Sequence, residues 1–282
     1  MDDELKPESF INFSLGYDSD ENNDYSLLLD YEFSEFQHLG FYYAKNSSPT
    51  SSSSTRSYIL SASTSSYEKF SIDANISFIE IPDTLETRSL SNAFNLNLVN
   101  WHFSVGPKLS VLTFFLDDRR QNKFNIDAKG AELAISYFGF EKLYFSGNYF
   151  KNTFSKKPIF LEASVFNSLA TNTMQKIRII SQINNIASNL EEQRISLTVG
   201  RYANWGNFDF TWSYVELFNV AQWLDFAVLA PLQETTYINS FSSSASYDIN
   251  KNVNLGMILG MQTLSSKNDK LFFTSISTGY RW

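Results

Sequence analysis

Polar and apolar residues alternate one by one along almost the whole chain, and helical spacing is scarce. From Phe70 to Phe78 the even positions are Phe, Ile, Ala, Ile and Phe, and the odd ones are Ser, Asp, Asn and Ser. The same period runs through Ile11/Phe13/Leu15/Tyr17, Tyr25/Leu27/Leu29/Tyr31/Phe33, Phe208/Phe210/Trp212/Tyr214 and Val253/Leu255/Met257/Leu259/Met261. A period of two marks a strand with two unlike faces, so the pattern predicts an all-β chain.

The runs number sixteen, at 10–17, 25–33, 39–45, 57–65, 70–79, 89–99, 102–116, 123–137, 142–151, 159–166, 176–183, 193–202, 207–217, 235–248, 252–263 and 271–282. The runs at 159–166 and 176–183 have the weakest alternation, so fourteen strands is the alternative count. Polar connections between the runs are by turns long and short, apart from departures around 152–158 and 167–175, as in an up-and-down meander. About 17–18 residues per strand and connection suits a transmembrane barrel, whose tilted strands need ~9–11 residues to cross. The predicted architecture is a single closed antiparallel barrel over 10–282, preceded by a short periplasmic segment at 1–9. A soluble sandwich of this length would leave two strand edges to blunt, which closure removes. Aromatics also gather at strand ends (Tyr17, Tyr25, Phe33, Tyr43, Tyr58, Trp101, Tyr137, Tyr247), as interface girdles do.

Composition narrows the function classes. With no cysteine among the 282 residues, disulfides, thiolate metal sites and a cysteine nucleophile are excluded. A formal charge of −8 argues against a nucleic-acid partner, which needs a basic face. No run of 18 apolar residues exists, which excludes a helical membrane protein and leaves a barrel open. The start, Met1-Asp2-Asp3-Glu4-Leu5-Lys6-Pro7, has neither the basic nor the apolar region of a secretory signal. Either the chain is cytosolic or it is a mature form whose leader has been removed, and the barrel pattern favours the second.

The last run, Leu271 to Trp282, places Phe272, Thr274, Ile276, Thr278, Tyr280 and Trp282 on one face and stops on the aromatic. It resembles the terminal strand of bacterial outer-membrane β-barrel proteins, with Ile276, Tyr280 and Trp282 at the matching positions. Most of that superfamily end in Phe, and Trp is a less common variant. The resemblance implies a Gram-negative outer-membrane location and recognition of this strand by the barrel-assembly machinery. Outer-membrane lipid and lipopolysaccharide are then the expected surroundings.

If the apolar positions face lipid, the intervening ones face the lumen. Asp30, Glu32, Asp73, Lys108, Asp127, Lys129, Glu132, Glu162, Arg178, Arg194, Asp209 and Arg281 are the charged candidates for a pore lining. A dry core cannot bury so many charges, whereas a wet lumen can. Acids prevail early and bases later, which reads either as a transverse field or as salt bridges bracing the wall. Catalytic chemistry is thin. His102 and Ser104 share a strand face, the spacing of the His-x-Ser pair of some outer-membrane phospholipases, but no Asn or acid can be assigned to orient the ring. The pair sits beside a short turn on the predicted inner face. No metal spacing occurs and no cofactor is expected; the acidic stretch 18–24 lacks the Gly and terminal Glu of a calcium loop. The segment 218–234 is far more apolar than the other long connections, and is expected to fold into the mouth, lie on the membrane or meet a protein partner. The expected function is a water-filled, weakly selective channel for small hydrophilic solutes or ions. The alternatives are an accessory barrel of a secretion or polysaccharide-export assembly and, less favoured, a lipid-acting enzyme.

Overall fold

The structure, a computed structural model, describes residues 9–19, 21–34, 37–47, 54–67, 69–81, 85–115, 123–155, 191–217, 236–265 and 270–282. The strands are β1 (Phe10–Asp18), β2 (Asn23–Ser34), β3 (Gln37–Ser47), β4 (Ser54–Tyr67), β5 (Phe70–Ile81), β6 (Leu85–Leu98) and β7 (Trp101–Phe115). They continue as β8 (Lys123–Tyr137), β9 (Leu143–Phe154), β10 (Glu191–Ala203), β11 (Gly206–Leu217), β12 (Thr236–Asp248), β13 (Val253–Leu264) and β14 (Lys270–Arg281). Each pairs antiparallel with its neighbours in sequence, and β1 pairs with β14, from Phe10 opposite Arg281 to Asp18 opposite Phe273. The sheet is a closed barrel of fourteen strands.

Among the described residues the wall thus has fourteen strands, the alternative count, rather than sixteen. β9 hydrogen-bonds directly to β10, from Leu143 opposite Arg201 to Lys151 opposite Gln193. The runs at 159–166 and 176–183, like 218–234 and 1–8, lie outside the described residues.

Local chemistry sets the turns at the short-connection end. The turn from β10 to β11 closes on Gly206, whose φ of 144° is one that side chains rarely adopt. In the β12–β13 turn, Asn250 Oδ1 accepts from the backbone N–H groups of Asn252 and Val253 at 2.8 and 2.9 Å, an Asx turn. At the opposite end, the Asp18 carboxylate accepts from the backbone N–H of Asn22 at 2.9 Å and from its side-chain amide at 2.8 Å. The acidic stretch thus uses Asp18 to close a turn. Pro107 has no N–H to give, and the β6–β7 ladder skips from Ser91 opposite Lys108 to Phe94 opposite Val105.

The apolar residues mostly face outward, the reverse of a soluble protein. Ile276 is 61% exposed, and Leu15 and Met257, its partners across the wall, are exposed with it. Aromatic rows bound this surface at both ends. Tyr25, Tyr43, Tyr58 and Phe78 form one continuous cross-strand row, with centroids 6.0, 5.2 and 6.1 Å apart. Near the short turns, Trp101 with Tyr137, Trp205 with Tyr247 and Tyr280 with Trp282 form the other. Such a band exposed to water would be an aggregation surface; between two aromatic girdles it matches the hydrocarbon of a bilayer.

Candidate functional site: the inner wall

The strand register, which shifts only near strand ends at Glu191/Gln193, Glu32/Ser34 and Ser65/Tyr67, fixes which side chains share the inner face. Hydroxyls dominate it and bond across strands: Ser14 with Ser275 at 2.9 Å, Thr198 with Thr211 at 2.9 Å, Ser213 with Ser240 at 2.6 Å, and Ser136 with Ser146 at 3.0 Å. These bonds pair the hydroxyls with one another along the wall, so small polar side chains line the lumen without reaching across it.

Among the predicted pore-lining residues, Asp30, Glu32, Asp73, Lys108, Glu132, Arg194, Asp209 and Arg281 lie on the inner face. Glu162 and Arg178 fall outside the described residues. Asp127 and Lys129 are on the outer face, opposite Val111 and Leu109, and both are exposed. This corrects the sequence reading. In Lys123–Tyr137 the apolar residues occupy even positions first (Ile126, Ala128) and odd positions later (Leu133, Ile135, Tyr137). The register with β7 never slips, so polarity changes face while the strand does not. Ile81, Leu85, Leu112, Ile126, Phe150 and Leu217 all point inward near the long-connection end and are buried. That part of the inner wall is an apolar core, not the wet lining expected.

The inner charges are organised by partners. Arg194 bridges two carboxylates, Glu132 at 3.2 Å and Glu191 at 3.1 Å, and Asn148 donates to Glu132 at 2.5 Å. The Arg194 guanidinium and the Lys108 ammonium lie 5.6 and 5.2 Å from the buried Phe150 ring, close enough for cation–π attraction. Of the basic residues expected from the sequence, Arg194 is thus neutralised where it stands, while Lys129 lies on the outer face and Arg178 outside the described residues. Asp73 accepts from Asn95 at 2.6 Å. Asp209 accepts from Tyr144 and from Ser244. Asp30 and Glu32 face His38 on β3, whose ring nitrogens stand 3.8 and 4.0 Å away. Carboxylates outnumber cations on the inner wall among the described residues, and Asp24, Asp30 and Glu32 gather on β2.

His102 also faces inward, and Asn97 Oδ1 lies 2.6 Å from its Nδ1. The sequence analysis assigned this ring no orienting partner. The signal was available: Asn97 and His102 are symmetrically placed about a two-residue turn, hence directly opposed. No hydrogen bond joins Ser104 to the ring among the described residues, so the contact that would activate a serine nucleophile is missing. No group of three metal-ligating side chains occurs among the described residues.

The outer surface holds a hollow of about 820 Å³ over Gly147, walled by Trp101, Ile135, Tyr149, Leu197 and Trp212. Its lining belongs to the lipid-facing band.

A closed, inside-out antiparallel barrel with aromatic girdles and a polar inner wall is the architecture of outer-membrane β-barrels. Among solved structures the chain is similar to the CymD monoaromatic hydrocarbon channel, at 11% identity and a TM-score of 0.52, covering 98% of this chain and 88% of that one. It is also similar to the KdgM porin, at 9% identity and a TM-score of 0.46, covering 96% and 98% respectively. No family model and no curated protein sequence matches the chain.

Proposed function

We propose that the protein is an outer-membrane channel that passes small hydrophilic solutes or ions with slight selectivity. The observation that carries this reading is the inner wall itself. Ser, Thr and Asn are the commonest residues of its surface over β10 to β14 and β1 to β5, with acids exceeding bases, behind a band of apolar residues turned to lipid. A protein needing only an anchor has no use for a hydroxyl-lined interior. A barrel of fourteen strands is intermediate between small filled barrels and the wide porins of 16–18 strands. The apolar core on β5 to β9 and β11 narrows it further from one side. The conducting path in this reading follows the polar arc opposite that core.

Planar-bilayer recording on the purified, folded barrel tests the proposal. Discrete conductance steps with a mild preference for cations are expected; a correctly folded barrel with no conductance would overturn it in favour of an accessory role. Insertion is proposed to depend on the assembly machinery reading Ile276 and Tyr280 on the outer face of β14 and Trp282, which stacks on Tyr280 just past its end. Deleting Trp282 should lower the amount of folded protein in outer-membrane fractions, and unchanged levels would count against this assembly route.

A further inference from the structure

A separate cavity of about 410 Å³ opens on the inner wall near the short-turn end, where β14, β1, β2 and β3 meet. Arg281 and Asp30 both pair with Phe10, one from each side. The three side chains therefore stand on one row, with Phe10 as the floor between a cation and an anion. Two inter-strand spacings separate the Arg281 and Asp30 backbones, roughly 10 Å. Arg281 makes no ion pair among the described residues and its side chain is exposed to the cavity mouth. Asp30 meets only the more distant His38 ring, at 3.8 Å, and Glu32 adds a second carboxylate on the same side. Asn12 and Asn254 supply amide groups around the rim.

We propose that this cavity is a binding subsite for small zwitterions of the α-amino-acid type. The solute carboxylate takes the two-pronged face of the Arg281 guanidinium, a geometry that suits carboxylates. Its ammonium lies toward Asp30, in the field of Glu32. A simple cation is drawn to the acids but repelled by Arg281, and a simple anion meets the opposite conflict. Only a molecule carrying both charges close together satisfies both walls. The inference deepens the channel reading by naming a solute class held at one end of the path.

Equilibrium dialysis of radiolabelled L-alanine against the detergent-folded barrel tests it, with alaninamide and propionate as single-charge competitors. Saturable binding of L-alanine is expected, with each competitor weaker by about tenfold or more, the loss of one charged hydrogen-bonding partner. Arg281→Gln and Asp30→Asn should each weaken binding about tenfold, while Lys129→Gln on the outer face should leave it unchanged. Heat-modifiable migration on gels verifies folding of each variant, and Arg281→Lys provides a milder second change at the terminal strand. Absence of saturable binding, equal binding of alaninamide, or binding insensitive to both Arg281→Gln and Asp30→Asn would overturn the proposal. Conductance is measured separately: a barrel that conducts without binding L-alanine overturns this subsite, and one that binds without conducting overturns the channel.

Discussion

Ile276 and Ser277 are adjacent on β14, and the barrel assigns them opposite solvents. Ile276 is 61% exposed on the outer face, midway along its strand, beside Leu15 and Met257. Ser277 points inward between Ser14 and Gly256, both small. Placing Arg at a lipid-facing barrel position costs about 2–4 kcal/mol near the bilayer midplane and almost nothing near the interfaces. At about 1.4 kcal/mol per decade, Ile276→Arg should shift the folding equilibrium in lipid vesicles by roughly 25-fold to several hundredfold. Ser277→Arg turns the same side chain into the lumen, where Gly256 leaves space and water solvates the charge. Its cost should stay within about 1 kcal/mol, the scale of one lost hydroxyl hydrogen bond. The assay is reversible urea unfolding in phospholipid vesicles, followed by Trp fluorescence and gel mobility. If the two variants lost equal stability, or Ser277→Arg lost more, the outer surface would not be facing hydrocarbon and the inside-out reading would fail.

Three further outcomes follow from the inner wall and its turns. Asp73→Lys should move the reversal potential under a salt gradient toward anion preference, whereas Asp127→Lys, on the outer face, should not; equal shifts would refute the face assignment. Arg194→Ala leaves Glu132 and Glu191 without their shared guanidinium and should cost about 1–2 kcal/mol after allowing for their partial exposure, read as a lower urea midpoint. Gly206→Ala forces a side chain into a φ of 144° and against the Ser246 carbonyl, so it should destabilise by about 1–3 kcal/mol, with a matched loss of folded yield.

The faces were legible wherever lipid dictates them. Between the girdles a position must be apolar if it faces outward, so parity alone assigned Phe13, Leu27, Ile76, Leu255 and Ile276 correctly. Strand number was less legible. The runs at 159–166 and 176–183 alternate only over short stretches, and alternation of that length does not require pairing. What sets the count among the described residues is the direct pairing of β9 with β10, a long-range fact with no local signature. The Arg194 cluster was invisible for a similar reason. Its members Lys108, Glu132, Asn148 and Arg194 come from four strands, and only the barrel register lines them up. Asn97 and His102, by contrast, flank one tight turn, and their opposition could have been counted.

Asp127 and Lys129 were misassigned because parity carries a fixed meaning only within the bilayer. β7 and β8 have 15 residues each, against 9 for β1. Six further residues at ~3.4 Å lengthen a strand by roughly 20 Å. Because barrel strands tilt, a hydrogen-bonded row also climbs by about 3 Å per strand. Asp127 therefore stands well beyond the height of Leu27, although Val111, Arg88, Phe78, Tyr58 and Tyr43 connect them along one row. Past the hydrocarbon, the wall meets water outside, and the ordinary rule of soluble proteins returns. Glu80, Glu86, Arg88, Asp127, Lys129, Lys151 and Glu216 turn outward there, while Ile81, Leu85, Leu112, Ile126, Phe150 and Leu217 turn inward and are buried. One strand thus obeys two opposite polarity rules in succession without a bulge. The residue pair at which apolar parity changes, Lys129 and Ala131 on β8, marks the edge of the membrane on that side of the barrel.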